Sequence, residues 1–287
     1  MTPPIPERLA ATCGATPERR AWLERLPGAL RDLQERWALS LDAPFDGAEG
    51  SCAWVAPVVR AADGTRAVLK LGMPHMEAEH EIQALRFWDG DGAVRLLDAD
   101  EALNALLLER CAPGAPLRDL PESEQDVVLA GLLRRLWRVP PAPHPFRPLS
   151  AMTAQWAAET IADSARWPDA GLVREGLRLF EELSRAAPGD VLLATDLHAG
   201  NVLRAQREPW LAIDPKPFVG DPAYDATQHL LNCRERMRAD PHATIARFAD
   251  LLGLDRERVR RWIWARCAAE SRDDWDDEAW HLAKTLA

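Results

Sequence analysis

No stretch of this chain approaches the ~18 consecutive apolar residues that a membrane-spanning helix requires. The first thirty residues carry Pro3, Pro4, Pro6 and several arginines, with no continuous apolar run of the kind that directs secretion. Cysteine is sparse and unpaired in pattern. Cys13, Cys52, Cys111, Cys233 and Cys267 make an odd number with no C-x-x-C spacing, which argues against a zinc site and against a disulfide framework. Positive charge is in deficit: 35 Lys+Arg against 45 Asp+Glu leave a net charge of −10, whereas general binders of nucleic acid or anionic membranes are usually basic. Internal repeats are absent, and the only low-complexity stretch is the proline-rich 140–148, read as a connecting loop. These absences predict a soluble, unexported protein of a reducing cytoplasm, with a small or cationic partner and neither nucleic acid nor membrane.

Lysine is the scarcest charged residue. Of the 35 basic residues only Lys70, Lys216 and Lys284 are lysine, so the chain uses arginine wherever either would serve. A lysine kept inside the apolar string Val68-Leu69-Lys70-Leu71 then needs a reason, and a compact ammonium that must reach a phosphate oxygen is one.

What is present is globular: 287 residues, 47% apolar and 28% charged, suffice for one large domain or two lobes with a substantial core. Apolar residues recur at helical spacing from Pro17 to Trp37, and Pro27-Gly28 predicts a break into two short helices. The period then changes. Trp37–Leu41, Cys52–Val59, Arg66–Leu71, Ala93–Leu97 and Asn104–Glu109 read as strands separated by turn residues, with one helix, Met76–Trp88, after the third. After Pro113-Gly114-Ala115-Pro116 long amphipathic stretches dominate, at about 123–138, 150–166, 169–187, 222–238, 241–252, 255–270 and 274–286. Short strand signals interrupt them only at Val191–Ala194, Val202–Ala205 and Trp210–Ile213, and the tryptophans at helical spacing read mostly as core. The expected architecture is α+β: an N-terminal lobe, 1–112, with a mostly antiparallel five-stranded sheet and one inserted helix, then a mainly helical lobe, 113–287.

In the helical half a short strand ends in Thr195-Asp196-Leu197-His198-Ala199-Gly200-Asn201, and a predicted hairpin leads to Ile213-Asp214-Pro215. An Asp, an Asn five positions later and a further Asp beyond a hairpin is the arrangement by which kinases hold a catalytic base and two magnesium ligands close together. A hard cation needs oxygen donors, and Asn201 and Asp214 supply a neutral and an anionic one. Taken alone, the Asp-Leu-His-Ala-Gly-Asn string is equally well a turn; Asp214-Pro215 at this distance tips it towards catalysis. His198 reads as a structural group. Lys216 reads either as a γ-phosphate contact or as the partner of a carboxylate.

At these residues the chain resembles the aminoglycoside phosphotransferase family, and within it the streptomycin 6-phosphotransferase and hydroxyurea phosphotransferase branch. The resembling segments are Asp196–Asn201, Glu208–Pro217 and Val219–Asp225, with Ala67–Leu71, Gly92–Asp98 and Leu106–Arg110 upstream in the same order. The resemblance implies a bilobal protein-kinase-like fold and transfer of the ATP γ-phosphoryl group to a small-molecule hydroxyl. It implies Asp196 as general base, Asn201 and Asp214 as Mg²⁺ ligands, and Lys70 at the α/β-phosphates, steadied by a carboxylate of the following helix. Glu77 and Glu81 lie at i and i+4 on one face, so both are candidates, with Glu81 preferred as the deeper. Leu108–Cys111, including Glu109, would be the hinge whose backbone faces the adenine, and Asp225 would brace the catalytic loop. The phosphate-covering turn would be Asp46–Ser51, through Gly47, Gly50 and Ser51. The chain departs from the pattern in two places that matter: the phosphate-covering turn has only two glycines, Gly47 and Gly50, where a protein kinase has three, and Ala194-Thr195 stands where the family has His-Gly. The second departure motivates a rival reading, a catalytically silent nucleotide-binding scaffold. Retention of Lys70, Asp196, Asn201 and Asp214 together argues against it. The acidic run Glu270, Asp273, Asp274, Asp276, Asp277 and Glu278 suits a helix start. It falls where related enzymes bind a polycationic sugar, and it is carried forward as a contributor to acceptor binding by charge.

Overall fold

The computed structural model describes residues 4–45, 52–270 and 277–287, and the turn residues Gly47, Gly50 and Ser51 and the acidic Asp273, Asp274 and Asp276 lie outside them. Residue contacts divide the chain into two compact units, Met1–Ala115 with Arg204–Leu211 and Pro116–Leu203 with Ala212–Ala287. No described helix is long and apolar enough to cross a membrane.

The first unit begins with α1 (Glu7–Cys13) and α2 (Pro17–Arg36), then β1 (Leu39–Leu41), β2 (Ala53–Arg60), β3 (Arg66–Gly72), α3 (Glu81–Trp88), β4 (Leu96–Asp100) and β5 (Ala105–Glu109). The strands form one antiparallel sheet in the order β1-β2-β3-β5-β4. The break expected at Pro27 does not occur, and α2 runs unbroken through it. Trp22, Leu26, Leu30 and Leu33 recur at three- and four-residue spacing and bury together with Trp54, Val58 and Leu69 of the sheet. At ~1.5–3 kcal/mol for each buried apolar side chain, that stripe outweighs the ~3 kcal/mol that an interior proline costs. The helix expected over Met76–Trp88 is also altered. Met76–Ala78 is a single 3₁₀ turn, and His80 at φ +68° separates it from α3. Glu77 and Glu81 therefore do not share a helical face.

The second unit contains α4 (Glu122–Leu136), α5 (Leu149–Ala162), α6 (Ala170–Leu183) and β6 (Val191–Leu193). A hairpin of β7 (Val202–Arg204) and β8 (Trp210–Ala212) follows, and its tip groups with the first unit. Then come β9 (Phe218–Gly220), α7 (Pro222–Asn232), α8 (Arg234–Ala239), α9 (Pro241–Leu252), α10 (Arg256–Ala269) and α11 (Asp277–Leu286). The stretch expected as one helix over 222–238 is two, because Cys233 leaves helical geometry at ψ 54°. Strand β9, three residues between two prolines, carries no readable period, yet it pairs antiparallel with β6 and fixes the strand that leads to Asp196. Helix α10 lies close against α6 because residue 176 is glycine: a Cβ there would fall 2.8 Å from that of Ala269 and 2.9 Å from that of Ala268.

Candidate active site

In the first unit Lys70 sits on β3 opposite Val55 and Leu106, between two hydrogen-bonded neighbours of the sheet. Its ammonium is buried, with Nζ 2.6 Å from both carboxylate oxygens of Glu81 in the first turn of α3. Of the two candidate carboxylates it is thus Glu81 that chelates the lysine. At the end of β5, Glu109 holds Arg207 rather than pointing its charge at a ligand. Arg207 donates to Glu109 from Nε at 3.0 Å and from Nη2 at 3.0 Å, and the Arg95 N–H adds a third bond at 3.0 Å. The N–H of Glu109 donates to Arg95 O at 2.9 Å. Among the described residues the backbone of Cys111 forms no hydrogen bond, and burial pushes its thiol up to about 11, with Glu109 adding to the effect.

In the second unit the strand β6 delivers Ala194 and Thr195 onto the buried carboxylate of Asp225 on α7. Their N–H groups donate to it at 3.0 and 2.8 Å, and the Trp137 indole adds a bond at 2.9 Å. Burial nevertheless dominates and raises the Asp225 carboxyl to about 6. Thr195 lies at φ +40°, and the Asp196 N–H closes a three-residue turn around it onto Ala194 O at 2.6 Å. The turn throws Asp196 out of strand geometry. Its Oδ1 accepts from Gln228 Nε2 of α7 at 2.8 Å, and its Oδ2 is 3.5 Å from Asn201 Nδ2. Burial raises the Asp196 carboxyl, Asp214 adds to the shift, and the charges of Lys216, His198 and Arg266 oppose it.

His198 has a structural task, since its Nδ1 accepts the Gly200 N–H at 3.1 Å and caps the 3₁₀ turn Ala199–Asn201. Asn201 donates its amide nitrogen to Asp196 O at 3.0 Å, which turns its amide oxygen outward as a possible metal donor. The Ile213 N–H donates to Asn201 O at 2.9 Å, so the two ends of the hairpin hold Asn201 and Asp214 side by side. Asp214, at φ +52°, pairs through Oδ1 with the buried Lys216 ammonium at 2.7 Å. An amide oxygen and a carboxylate are hard donors of the type Mg²⁺ selects. A second group of donors is less suitable. Asp126, His229 and Cys233 bring ligand atoms within 4.8 Å of one another, but Arg236 and Arg247 also bind Asp126, at 3.0 and 2.9 Å. Two guanidinium charges on the Asp126 carboxylate oppose a cation there.

A sequence model of the aminoglycoside/hydroxyurea antibiotic resistance kinase family matches residues 36–278. The chain belongs to this family. A streptomycin 6-kinase of Streptomyces glaucescens is 40% identical over 285 residues, covering 95% of this chain and 91% of that one. A hydroxyurea phosphotransferase of Kitasatospora aureofaciens is 44% identical over 253 residues, covering 86% of this chain and 72% of the relative. The fold is that of the protein-kinase-like small-molecule kinases: a choline kinase, LicA of Streptococcus pneumoniae, superposes with a TM-score of 0.62 at 12% identity, over 90% of this chain and 97% of that one.

Two members of the acidic run are already paired within the chain. Both oxygens of Glu270 are taken by the buried Arg266, at 2.7 and 3.2 Å, and Glu278 pairs with Arg238 and Arg234. Neither carboxylate offers a cationic acceptor a net charge; Asp277 opens α11, and the other acidic positions lie outside the described residues. Sequence reasoning passed over Gln228 and Arg266, which stand next to Asp196 only because α7 and α10 fold against it. Neither belongs to a motif with readable spacing.

Proposed function

We propose that this kinase transfers the γ-phosphoryl group of ATP to a hydroxyl of a cationic, streptomycin-like aminoglycoside in the cytoplasm. The observation that carries the reading is the half-buried Asp196 carboxylate, anchored beside Asn201 and joined through one hairpin to Asp214 and Lys216. In the first unit, Lys70, held straight by Glu81, meets the α/β-phosphates, and the backbone of Cys111 meets the adenine edge. In the second, the Asn201 amide oxygen and the Asp214 carboxylate hold Mg²⁺. When bound, that ion neutralises charge on the phosphate oxygens. Asp196 Oδ2 accepts the proton of the acceptor hydroxyl as its oxygen bonds to phosphorus, and ADP departs with the electrons of the broken bond. Lys216 keeps a cation beside Asp214, which limits the repulsion that Asp196 feels from it. Catalysis then rests on positioning and charge, with no covalent intermediate.

Near-full-length similarity to a streptomycin 6-kinase supports the acceptor class, and the 44% identity to a hydroxyurea phosphotransferase supports a second reading with that small neutral acceptor. ADP release measured with streptomycin and with hydroxyurea, in wild type and Asp196→Asn, tests both. Turnover with streptomycin is expected, and a fall of at least ~10²-fold in the variant with the ATP KM little changed. Turnover with hydroxyurea alone replaces the acceptor and keeps the chemistry. Near-normal turnover in a folded Asp196→Asn protein removes Asp196 as base, and no turnover with any acceptor favours the silent scaffold.

A further inference from the structure

Asp196 is held by a file of hydrogen bonds that begins at a buried ion pair. Arg266 of α10 is 4% exposed, and its guanidinium lies over the rings of Tyr224 and Trp156 at 5.2 and 5.7 Å. Burial acts against its charge, and the Glu270 carboxylate, with Tyr224 and Cys267, more than offsets that. One edge of the guanidinium faces Glu270. From the other, Nη1 donates to Thr227 Oγ1 at 2.6 Å and to Gln228 Oε1 at 3.0 Å, and Gln228 Nε2 donates in turn to Asp196 Oδ1 at 2.8 Å.

The order of atoms in that file follows from chemistry. An arginine can only donate, so the Gln228 oxygen must face Arg266 and its NH₂ must face Asp196. Asp196, which accepts, asks for the same NH₂, so the two ends of the file agree on one orientation of the amide. The torsion that aims an aspartate carboxylate has broad, nearly two-fold minima, so it does not fix the direction of the group. Of the bonds made by the Asp196 carboxylate, the one from Gln228 is short, and the approach of Asn201 to Oδ2 is at the limit of hydrogen bonding.

We propose that Gln228 is a positioning residue for phosphoryl transfer, keyed by the Arg266–Glu270 ion pair, which occupies Asp196 Oδ1 and so presents Oδ2 to the acceptor hydroxyl. The inference rests on Asp196 being the base. It gives Glu270 a role behind Arg266 in place of one at the acceptor. Gln228 touches neither substrate nor nucleotide in this arrangement, so its effect falls on kcat rather than on the ATP KM.

The test compares Gln228→Glu, Gln228→Met and Asp196→Asn with wild type, using ATP with streptomycin, or with hydroxyurea if that is the acceptor turned over. Glu keeps the length of the side chain and its bond to Arg266, so a merely structural role predicts that Gln228→Glu behaves as wild type. Under the proposal it fails as badly as Met, because a carboxylate cannot donate to Asp196. Both should lose about 10–10²-fold in kcat, the size of effect a misplaced catalytic group produces, with the ATP KM within about twofold. Gln228→Glu with near-normal kcat, beside an inactive Asp196→Asn, overturns the inference and leaves the base assignment standing; an active Asp196→Asn overturns both. Crystal structures supply a readout independent of any acceptor. The Asp196 carboxylate should hold one orientation in wild type and a different one, or several, in Gln228→Met. The same single orientation in both also refutes the proposal.

Discussion

A β-branched side chain at positive φ crowds its Cβ against its own carbonyl, at ~1–2 kcal/mol, and Thr195 carries that strain at φ +40° one residue before Asp196. Its hydroxyl donates to Lys216 O at 2.6 Å and its N–H to Asp225, two buried bonds that hold the turn closed. The glycine of the family pattern would relieve the strain and lose the hydroxyl bond; alanine would keep the strain and lose the bond too. Thermal or urea unfolding should therefore rank Thr195→Ala as less stable than Thr195→Gly, by about 1 kcal/mol, the left-handed penalty less glycine's greater chain entropy. The opposite ranking would show that residue 195 is not strained in solution. At this scale the grouping of Asp196, Asn201 and Asp214 was readable before the structure, because they lie within one strand-loop-hairpin segment whose spacing sets their geometry. Gln228 and Arg266 were not, since 32 and 70 residues separate them from Asp196 and only helix packing brings them there. Glu77 and Glu81 remained alternatives for a related reason: a left-handed residue, His80, breaks a periodicity that the letters present as continuous.

Between elements, one buried carboxylate joins four helices. Asp126 of α4 accepts from His229 of α7 at 2.8 Å, Arg236 of α8 at 3.0 Å and Arg247 of α9 at 2.9 Å. Burial alone would raise its carboxyl, but the bonds from His229, Arg236 and Arg247 together prevail and lower it to about 2, from an ordinary 3.8. A carboxyl depressed in the folded state stabilises the fold above its unfolded value, and that stabilisation disappears as pH falls through the folded one. Asp126→Asn should accordingly lose ~3 kcal/mol at neutral pH, the scale of breaking a buried ion pair. The gap to wild type should narrow by about 2 kcal/mol between pH 4 and pH 2. Urea melts of the two proteins across that range check the sign; a gap that stays constant to pH 2 means Asp126 does not titrate with folding. The cluster also explains why α7 and α8 are two helices. His229 and Arg236 must both reach Asp126, and the turn at Cys233 re-aims the chain between them. Periodicity carries no trace of such a demand, just as it missed the three-residue β9 and overvalued Pro27, whereas α9, set between the capping Asp240 and the left-handed Gly253, was legible to its limits.

For the molecule as a whole, composition gives the sign and size of the net charge but not where that charge sits. The net charge of −10 stands, but two of the carboxylates that made the C-terminal run look like an acceptor site are already paired with arginines, Glu270 in the interior and Glu278 at the surface. Attraction for a cationic aminoglycoside then has to come from the field of the whole chain and from the acidic positions at 273–277, rather than from Glu270 or Glu278. Such a field is screened by salt: its range shrinks from ~10 Å at 0.1 M to ~3 Å at 1 M. Neutral hydroxyurea has no charge for it to act on. The KM for streptomycin should therefore climb with added salt several-fold, as long-range steering is lost, while the KM for hydroxyurea stays level, both measured in KCl from 0.05 to about 1 M at fixed Mg²⁺ and saturating ATP. The ATP-dependent part of the rate is common to both acceptors, so the comparison cancels any effect of salt on the nucleotide. A streptomycin KM that is flat across the series would mean that recognition relies on short, water-excluded contacts. The acidic composition would then reflect solubility alone, and the acceptor's cationic groups would have to be met by buried partners close to Asp196.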